Sequence, residues 1–297
     1  MQQQQQQQQQ PVTVFFQGNQ ASRLQATKYC GKEGLDIYVT NNNIEHVYNP
    51  VAPLLLYNLF LYAELSDIEY GFSWNPIHWF QKLLHWARMW YFNVYGTSCV
   101  PHNNWSQLNI AGPRDVTQCA NAIRACIKKH PDERIVLFGT SRGAATVLIT
   151  LANLTRYERS HIGLVVAEAP FASVPSVLHA TMPLAPLTAP LLMWVLTFFG
   201  EFRETQPSPL GTVNSEAFPL DIPLVFVTSE TDSTVPVNET QQLIDVLKKR
   251  SHAALHHIEL KRSHHSAMSL DNEADTRIYT EKLHDLYREY KLLASDH

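Results

Sequence analysis

The chain has 297 residues, 45% of them apolar, and a formal net charge of −4. That length and apolar fraction suffice for one large buried core and favour a single domain with insertions over two domains. The mild acidity, with no basic stripe along any helix, argues against nucleic acid as a partner.

Met1 is followed by nine glutamines. This stretch has neither the basic n-region nor the apolar h-region of a secretory signal, so residues 1–10 read as a disordered tail and residues 11–297 as the domain. The expected setting is intracellular and cytoplasmic, where sequons at Asn104, Asn153 and Asn238 are accidental. Cys30, Cys99, Cys119 and Cys126 follow neither a zinc pattern nor a disulfide framework, and read as structural thiols of a reducing compartment.

Pro11 to Phe16 reads as a short strand, with Gln17-Gly18-Asn19-Gln20 as its exit turn. A short helix is expected over 21–31. The second strand falls either at Leu35–Val39 or at Tyr91–Tyr95. Residues 44–105 form a first insertion, in which Trp79, Leu83, Trp86 and Trp90 share one helical face. Pro113 to His130 is an amphipathic helix whose stripe is Val116, Cys119, Ala120, Ile123, Cys126 and Ile127. Pro113 suits its first turn, and Lys128, Lys129 and His130 its last.

Ile135-Val-Leu-Phe then runs into Gly139-x-Ser141-x-Gly143, and a helix to about Leu154 follows. This is the sequence form of a nucleophile elbow, a tight strand-to-helix turn that lifts a serine above a sheet. Ile162 to Glu168 is the next strand. Uniformly apolar strands alternating with helices indicate a parallel sheet covered on both faces.

Residues 172–220 are a second insertion holding seven of the seventeen prolines. Leu184 to Gly200 is apolar, but Pro186 and Pro190 are expected to interrupt it. The run that remains is about half of the roughly 20 residues a membrane span needs, so a lid is the better reading. A strand from Ile222 leads to a polar turn with Asp232. A helix from Asn238 to Arg250 follows, with Asn238 and Gln241 spaced as a capping box. A last strand, from Leu255, leads to His264 and His265. The closing helix is expected from Asp275 to Leu293, with Tyr279, Leu283, Leu286, Tyr290 and Leu293 as its stripe.

A serine nucleophile needs an exposed position, a base and an oxyanion hole. The elbow gives Ser141 the first, and the Arg142 backbone N–H half of the third. Asn19 is the candidate for the second donor amide, with Gln20 as its alternative. His265 is the candidate base, with His264 as the alternative. Asp232 is the candidate acid, with Glu168 as the alternative. Ser141, Asp232 and His265 follow strands in that order, where open α/β sheets place their sites. The plainer readings are a buried serine in a tight turn and an ordinary Asx turn at Asp232. No carboxylate or cysteine stands at ligand spacing to the histidines, so no metal and no organic cofactor is expected.

With these pieces the chain resembles the α/β-hydrolase superfamily over roughly residues 12–293. The resemblance is carried by Phe16-Gln-Gly-Asn19, Gly139-Thr-Ser-Arg-Gly143, Glu168-Ala-Pro-Phe171, Asp232-x-x-Val-Pro236 and His265-Ser-x-Met268. It implies an α/β-hydrolase fold: a mostly parallel sheet with helices on both faces, helical lid insertions and a reduced N-terminal edge, since little sequence precedes the first strand. It also implies that Asp232 orients a histidine, which deprotonates Ser141 to accept an acyl group. Where most members have His-Gly at the oxyanion loop, this chain has Gln17-Gly18.

The implied activity is a serine hydrolase cleaving a carboxylic ester, thioester or related bond of a small-molecule acyl substrate, in an apolar pocket under a lid. Length favours an esterase over a peptidase. A serine peptidase, an acyltransferase and a non-catalytic binding protein of the same fold are the alternatives. The aromatic and apolar insertions are either compensating core or an acyl pocket with peripheral membrane contact.

Overall fold

The computed structural model describes residues 13–16, 38–39, 111–182, 185–199, 202–203, 205–265, 268 and 272–292. The glutamine tail, Gln17 to Gln20, the helix expected over 21–31, the first insertion and the alternative strand at Tyr91 lie outside the described residues.

Among the described residues, six strands form one sheet: β1 (Thr13–Phe16), β2 (Tyr38–Val39), β3 (Ile135–Thr140), β4 (Ile162–Glu168), β5 (Leu224–Ser229) and β6 (Leu255–Leu260). Their order is β2-β1-β3-β4-β5-β6, and every pairing among the described residues is parallel. A strand pairing with β1 stands at Tyr38–Val39, within the first of the two segments that the sequence offered. β3, β4 and β5 are buried at every position. This is why they are apolar throughout rather than alternating.

Between the strands run α1 (Pro113–Lys129), α2 (Arg142–Asn153), α3 (Arg156–Ser160), α4 (Val174–Thr181), α5 (Ala185–Phe199), α6 (Pro209–Asn214) and α7 (Val237–Lys249); α8 (Glu273–Glu289) follows β6. Alternate strand residues feed two cores. Ile135, Leu137, Val165 and Phe226 pack with Cys119 and Ile123 of α1, Leu148 of α2 and Leu243 of α7. Val136, Phe138, Val166 and Val227 pack with Tyr279, Leu283 and Leu286 of α8. Truncating a fully buried leucine such as Leu137 or Leu148 to alanine costs about 2–5 kcal/mol in cores of this kind. The fold is an α/β-hydrolase fold.

Three element boundaries depart from the sequence reading. α5 continues through Pro190 instead of stopping there. Pro186 sits in its first turn, where no N–H is needed, so Pro190 removes a single intrahelical bond. α7 starts at Val237 with Pro236 as its N-cap, and the expected capping box of Asn238 and Gln241 does not form. Asp232 takes the N–H groups of Thr234 and Val235 just before, which turns the chain into the helix one residue early. α8 begins at Glu273, because Asn272 accepts the N–H groups of Ala274 and Asp275, and it ends at Glu289.

Candidate active site

The C-terminal ends of β3, β4, β5 and β6 carry the candidate residues. β3 ends in the elbow. A Cβ on Gly139 would stand 2.7 Å from the Cα and N of Ala144 and from the carbonyl carbon of Gly143. Only glycine lets α2 start this close to its own strand. Ser141 then takes φ 51° and ψ −117°, a left-handed backbone that costs a side-chain-bearing residue about 1–3 kcal/mol. Its N–H donates to the carbonyl of Glu168 at 2.7 Å, which ties the elbow to the end of β4. Ala169, next on that strand, is also left-handed, at φ 47°.

Arg142 is the first residue of α2, so its N–H lies at the positive end of the helix dipole. Its guanidinium Nε lies 3.8 Å from Asp115 of α1, and Asp115 also accepts the N–H of Ala111 at 3.0 Å. β1 pairs in register so that Phe16 stands beside Gly139. Asn19 and Gln20 lie outside the described residues.

Asp232 is buried in the turn after β5. One carboxylate oxygen, Oδ1, accepts the N–H groups of Thr234 (2.9 Å) and Val235 (2.8 Å). The other, Oδ2, lies 2.7 Å from Nδ1 of His265. The Asx turn and the partnership with histidine are therefore both present, one on each oxygen. With Nδ1–H donating to Asp232, Nε2 is the basic nitrogen that His265 presents. His264, one residue earlier, is exposed. Glu168 is buried with its carboxylate 3.4 Å from the hydroxyl of Tyr279, so the described contact to histidine belongs to Asp232.

The turn that carries His265 is tied down twice more. The hydroxyl of Thr231 donates to the carbonyl of Ser263 at 2.9 Å. Asp275, in the first turn of α8, accepts the N–H groups of Lys261, Arg262 and Ser263 and the Ser263 hydroxyl, at 2.7 to 3.2 Å. Burial would push the Asp275 carboxyl up, but the three N–H groups and the hydroxyl outweigh it and hold the group below the usual carboxylate range. Glu239 of α7 makes a comparable anchor, accepting the N–H of Ala172 (3.1 Å) and the hydroxyl of Ser176 (2.6 Å) at the start of α4. Sequence reading gave neither anchor a role. Among the described residues, no group of three or more His, Cys, Asp or Glu side chains is placed to hold a metal ion.

The profile of the prolyl oligopeptidase family matches residues 102–284, more than half of the chain. The chain belongs to the prolyl oligopeptidase family. It is thereby a member of the α/β-hydrolase superfamily of serine hydrolases. Comparison with curated protein sequences gives no match. Among solved structures, the chain is similar to an acylaminoacyl peptidase of Pyrococcus horikoshii, with 17% identity and a TM-score of 0.47 over 64% of this chain and 30% of that one. An esterase of Pyrococcus furiosus has 17% identity and a TM-score of 0.43 over 61% of this chain and 64% of that one. Dipeptidyl peptidase 4 of Porphyromonas gingivalis has 16% identity and a TM-score of 0.42 over 59% and 22%. The chain spans less than a third of the acylaminoacyl peptidase. The prolyl oligopeptidase relationship covers the elbow, the acid turn and the histidine turn alike.

Proposed function

We propose that this serine hydrolase cleaves a carboxylic ester, thioester or related acyl bond through an acyl-serine intermediate, with Ser141 as nucleophile, His265 as base and Asp232 as its orienting acid. The observation that supports this most is the 2.7 Å contact of Asp232 Oδ2 with His265 Nδ1 in the same sheet edge as the left-handed Ser141. In the reaction, Ser141 Oγ attacks the acyl carbon and its proton passes to His265 Nε2. The Arg142 N–H and a second amide, for which Asn19 is the candidate, hold the oxyanion. Collapse breaks the bond to the leaving group, which takes the proton from His265. Water, deprotonated by the same nitrogen, then releases the acid and restores Ser141.

A cavity of about 480 Å3 between α2 and the second insertion supports an apolar acyl pocket. Ile149, Phe171, Val174, Met193, Phe202 and Pro209 are among its lining residues. Neither Ser141 nor His265 is among its lining residues. Its size falls within the roughly 300–1,000 Å3 of small-molecule sites.

Family membership favours a second reading, hydrolysis of a peptide or aminoacyl amide. Turnover of p-nitrophenyl esters against aminoacyl p-nitroanilides separates the two. Ester turnover alone supports the first reading, and anilide turnover at comparable kcat/KM replaces it with the second.

We also propose peripheral membrane contact through α5. Leu187, Leu191 and Trp194 are 74%, 63% and 56% exposed along this uncharged helix. No helix among the described residues is long and apolar enough to cross a membrane. Co-sedimentation with phosphatidylcholine vesicles that Trp194→Ala weakens is the expected result; a protein left wholly in the supernatant removes the proposal.

A further inference from the structure

α8 faces the site with two polar side chains one turn apart, Asp275 and Tyr279, both buried. Asp275 holds the histidine turn by its backbone. Four of its five contacts converge on one oxygen, Oδ2, at 3.1 Å from the Lys261 nitrogen, 2.7 Å from that of Arg262, 2.8 Å from that of Ser263 and 2.9 Å from the Ser263 hydroxyl. Tyr279 reaches the other side of the site. Its hydroxyl meets the Glu168 carboxylate at 3.4 Å, and the Glu168 carbonyl holds the Ser141 N–H at 2.7 Å. Residues i and i+4 of a helix share one face, so a single rigid element touches the supports of both the base and the nucleophile.

We propose that Asp275 is a positioning residue for catalysis: through the backbone of Lys261 to Ser263 it sets where His265 stands relative to Ser141, with Tyr279 bracing the elbow side. The inference rests on reading Ser141, Asp232 and His265 as a triad. Its physical basis is that Asp232 alone fixes one atom of the imidazole. The ring could still pivot about Nδ1, and Nε2 would then swing away from the serine. Fixing the backbone two residues before His265 removes that freedom. The Thr231 hydroxyl on the Ser263 carbonyl acts in the same sense. A displacement of about 1 Å at a reacting atom costs on the order of a hundredfold in rate.

A merely structural carboxylate would lower stability and leave turnover alone. Glu158 serves as that comparison. It is buried at the opposite end of the sheet, before β4, where it accepts the Thr155 N–H at 2.7 Å and pairs with Arg124 at 2.5 Å. The experiment measures the rate of fluorophosphonate labelling, and kcat and KM for p-nitrophenyl acetate, in wild type, Ser141→Ala, Asp275→Asn, Ser263→Ala and Glu158→Gln, with thermal melts of each. The expected result is labelling and kcat lower by roughly tenfold to a hundredfold in Asp275→Asn, with KM nearly unchanged. Ser263→Ala, which removes one hydroxyl contact, falls by a smaller factor. Glu158→Gln melts earlier but keeps wild-type kcat.

Wild-type kcat in folded Asp275→Asn overturns the proposal. If Asp275→Asn fails to fold, wild-type kcat in Ser263→Ala overturns it. Wild type without Ser141-dependent labelling is a different failure: it removes the triad reading, and the positioning role with it.

Discussion

Asp232 and His265 are 33 residues apart in sequence and 2.7 Å apart in space. The same carboxylate spends its other oxygen on the N–H groups of Thr234 and Val235. Asp232 is thereby oriented by its own turn before it orients the histidine, and α7 begins directly after that turn.

Asp232→Asn keeps the volume of the side chain and its acceptor for the turn, but it offers an amide where His265 Nδ1–H needs a carboxylate. The imidazole then prefers the wrong tautomer or orientation. We predict a loss of about 10³–10⁴ in kcat. Steady-state turnover of a p-nitrophenyl ester checks it, and a loss under tenfold would mean that Asp232 is no part of the reaction.

The two neighbouring histidines separate cleanly. His265→Ala removes the base and should abolish turnover to the level of Ser141→Ala. His264→Ala alters an exposed side chain and should leave kcat within about twofold, as substitutions at exposed positions do to the fold. The reverse pattern would reassign the base.

Gly139→Ala places a methyl carbon against backbone atoms that cannot yield, those of Gly143 and Ala144. Overpacking of this kind costs about 1–3 kcal/mol and moves the elbow. Chemical denaturation should show the lower stability, and fluorophosphonate labelling should fall with it. An unchanged midpoint would show that α2 can retreat from β3.

Glu239→Ala leaves the buried Ala172 N–H without its acceptor at the start of α4, while the Ser176 hydroxyl keeps the Ser173 carbonyl at 2.9 Å. A buried donor so stranded costs about 1–3 kcal/mol. Hydrogen exchange should then rise first over residues 172–181, ahead of the sheet. Uniform protection across that helix would contradict the anchoring role.

Asp275 also predicts an acid limb. Its folded carboxyl lies below the ordinary value of about 3.9 for aspartate, so the unfolded state binds the proton more readily. The stability it contributes is present above that ordinary value and is lost as pH falls through the lower folded one. Melting temperature against pH should therefore drop less steeply below about pH 4 in Asp275→Asn than in wild type. Parallel curves would remove the linkage.

Much of the fold could be read before any coordinates. The buried strands from Ile135 and Ile162, the stripe of α1 and the Gly139-x-Ser141-x-Gly143 turn each announce themselves by local pattern, and the parallel sheet follows from their alternation. Pro190 misleads because a proline inside a helix removes one intrahelical bond and can kink the helix without ending it. Asn238 misleads because a neighbouring side chain, Asp232, claims the turn first. The anchors were not legible at all. Asp275 reads as an acidic residue in a helix first turn, and its partners are main-chain N–H groups, which leave no trace in a sequence. The order of Ser141, Asp232 and His265 could be read, whereas the closeness of Asp232 to His265 rather than to His264 needed the geometry.

Whether Ser141 is an activated nucleophile is tested most directly by covalent labelling of the intact chain with a fluorophosphonate, comparing wild type with Ser141→Ala and mapping the adduct by peptide mass. A single adduct on Ser141 is expected, absent from the mutant and strongly slowed in His265→Ala. Well-folded wild type that takes no label would contradict this and leave a binding protein built on a hydrolase fold; label that persists in Ser141→Ala would contradict it by placing the reactive nucleophile elsewhere.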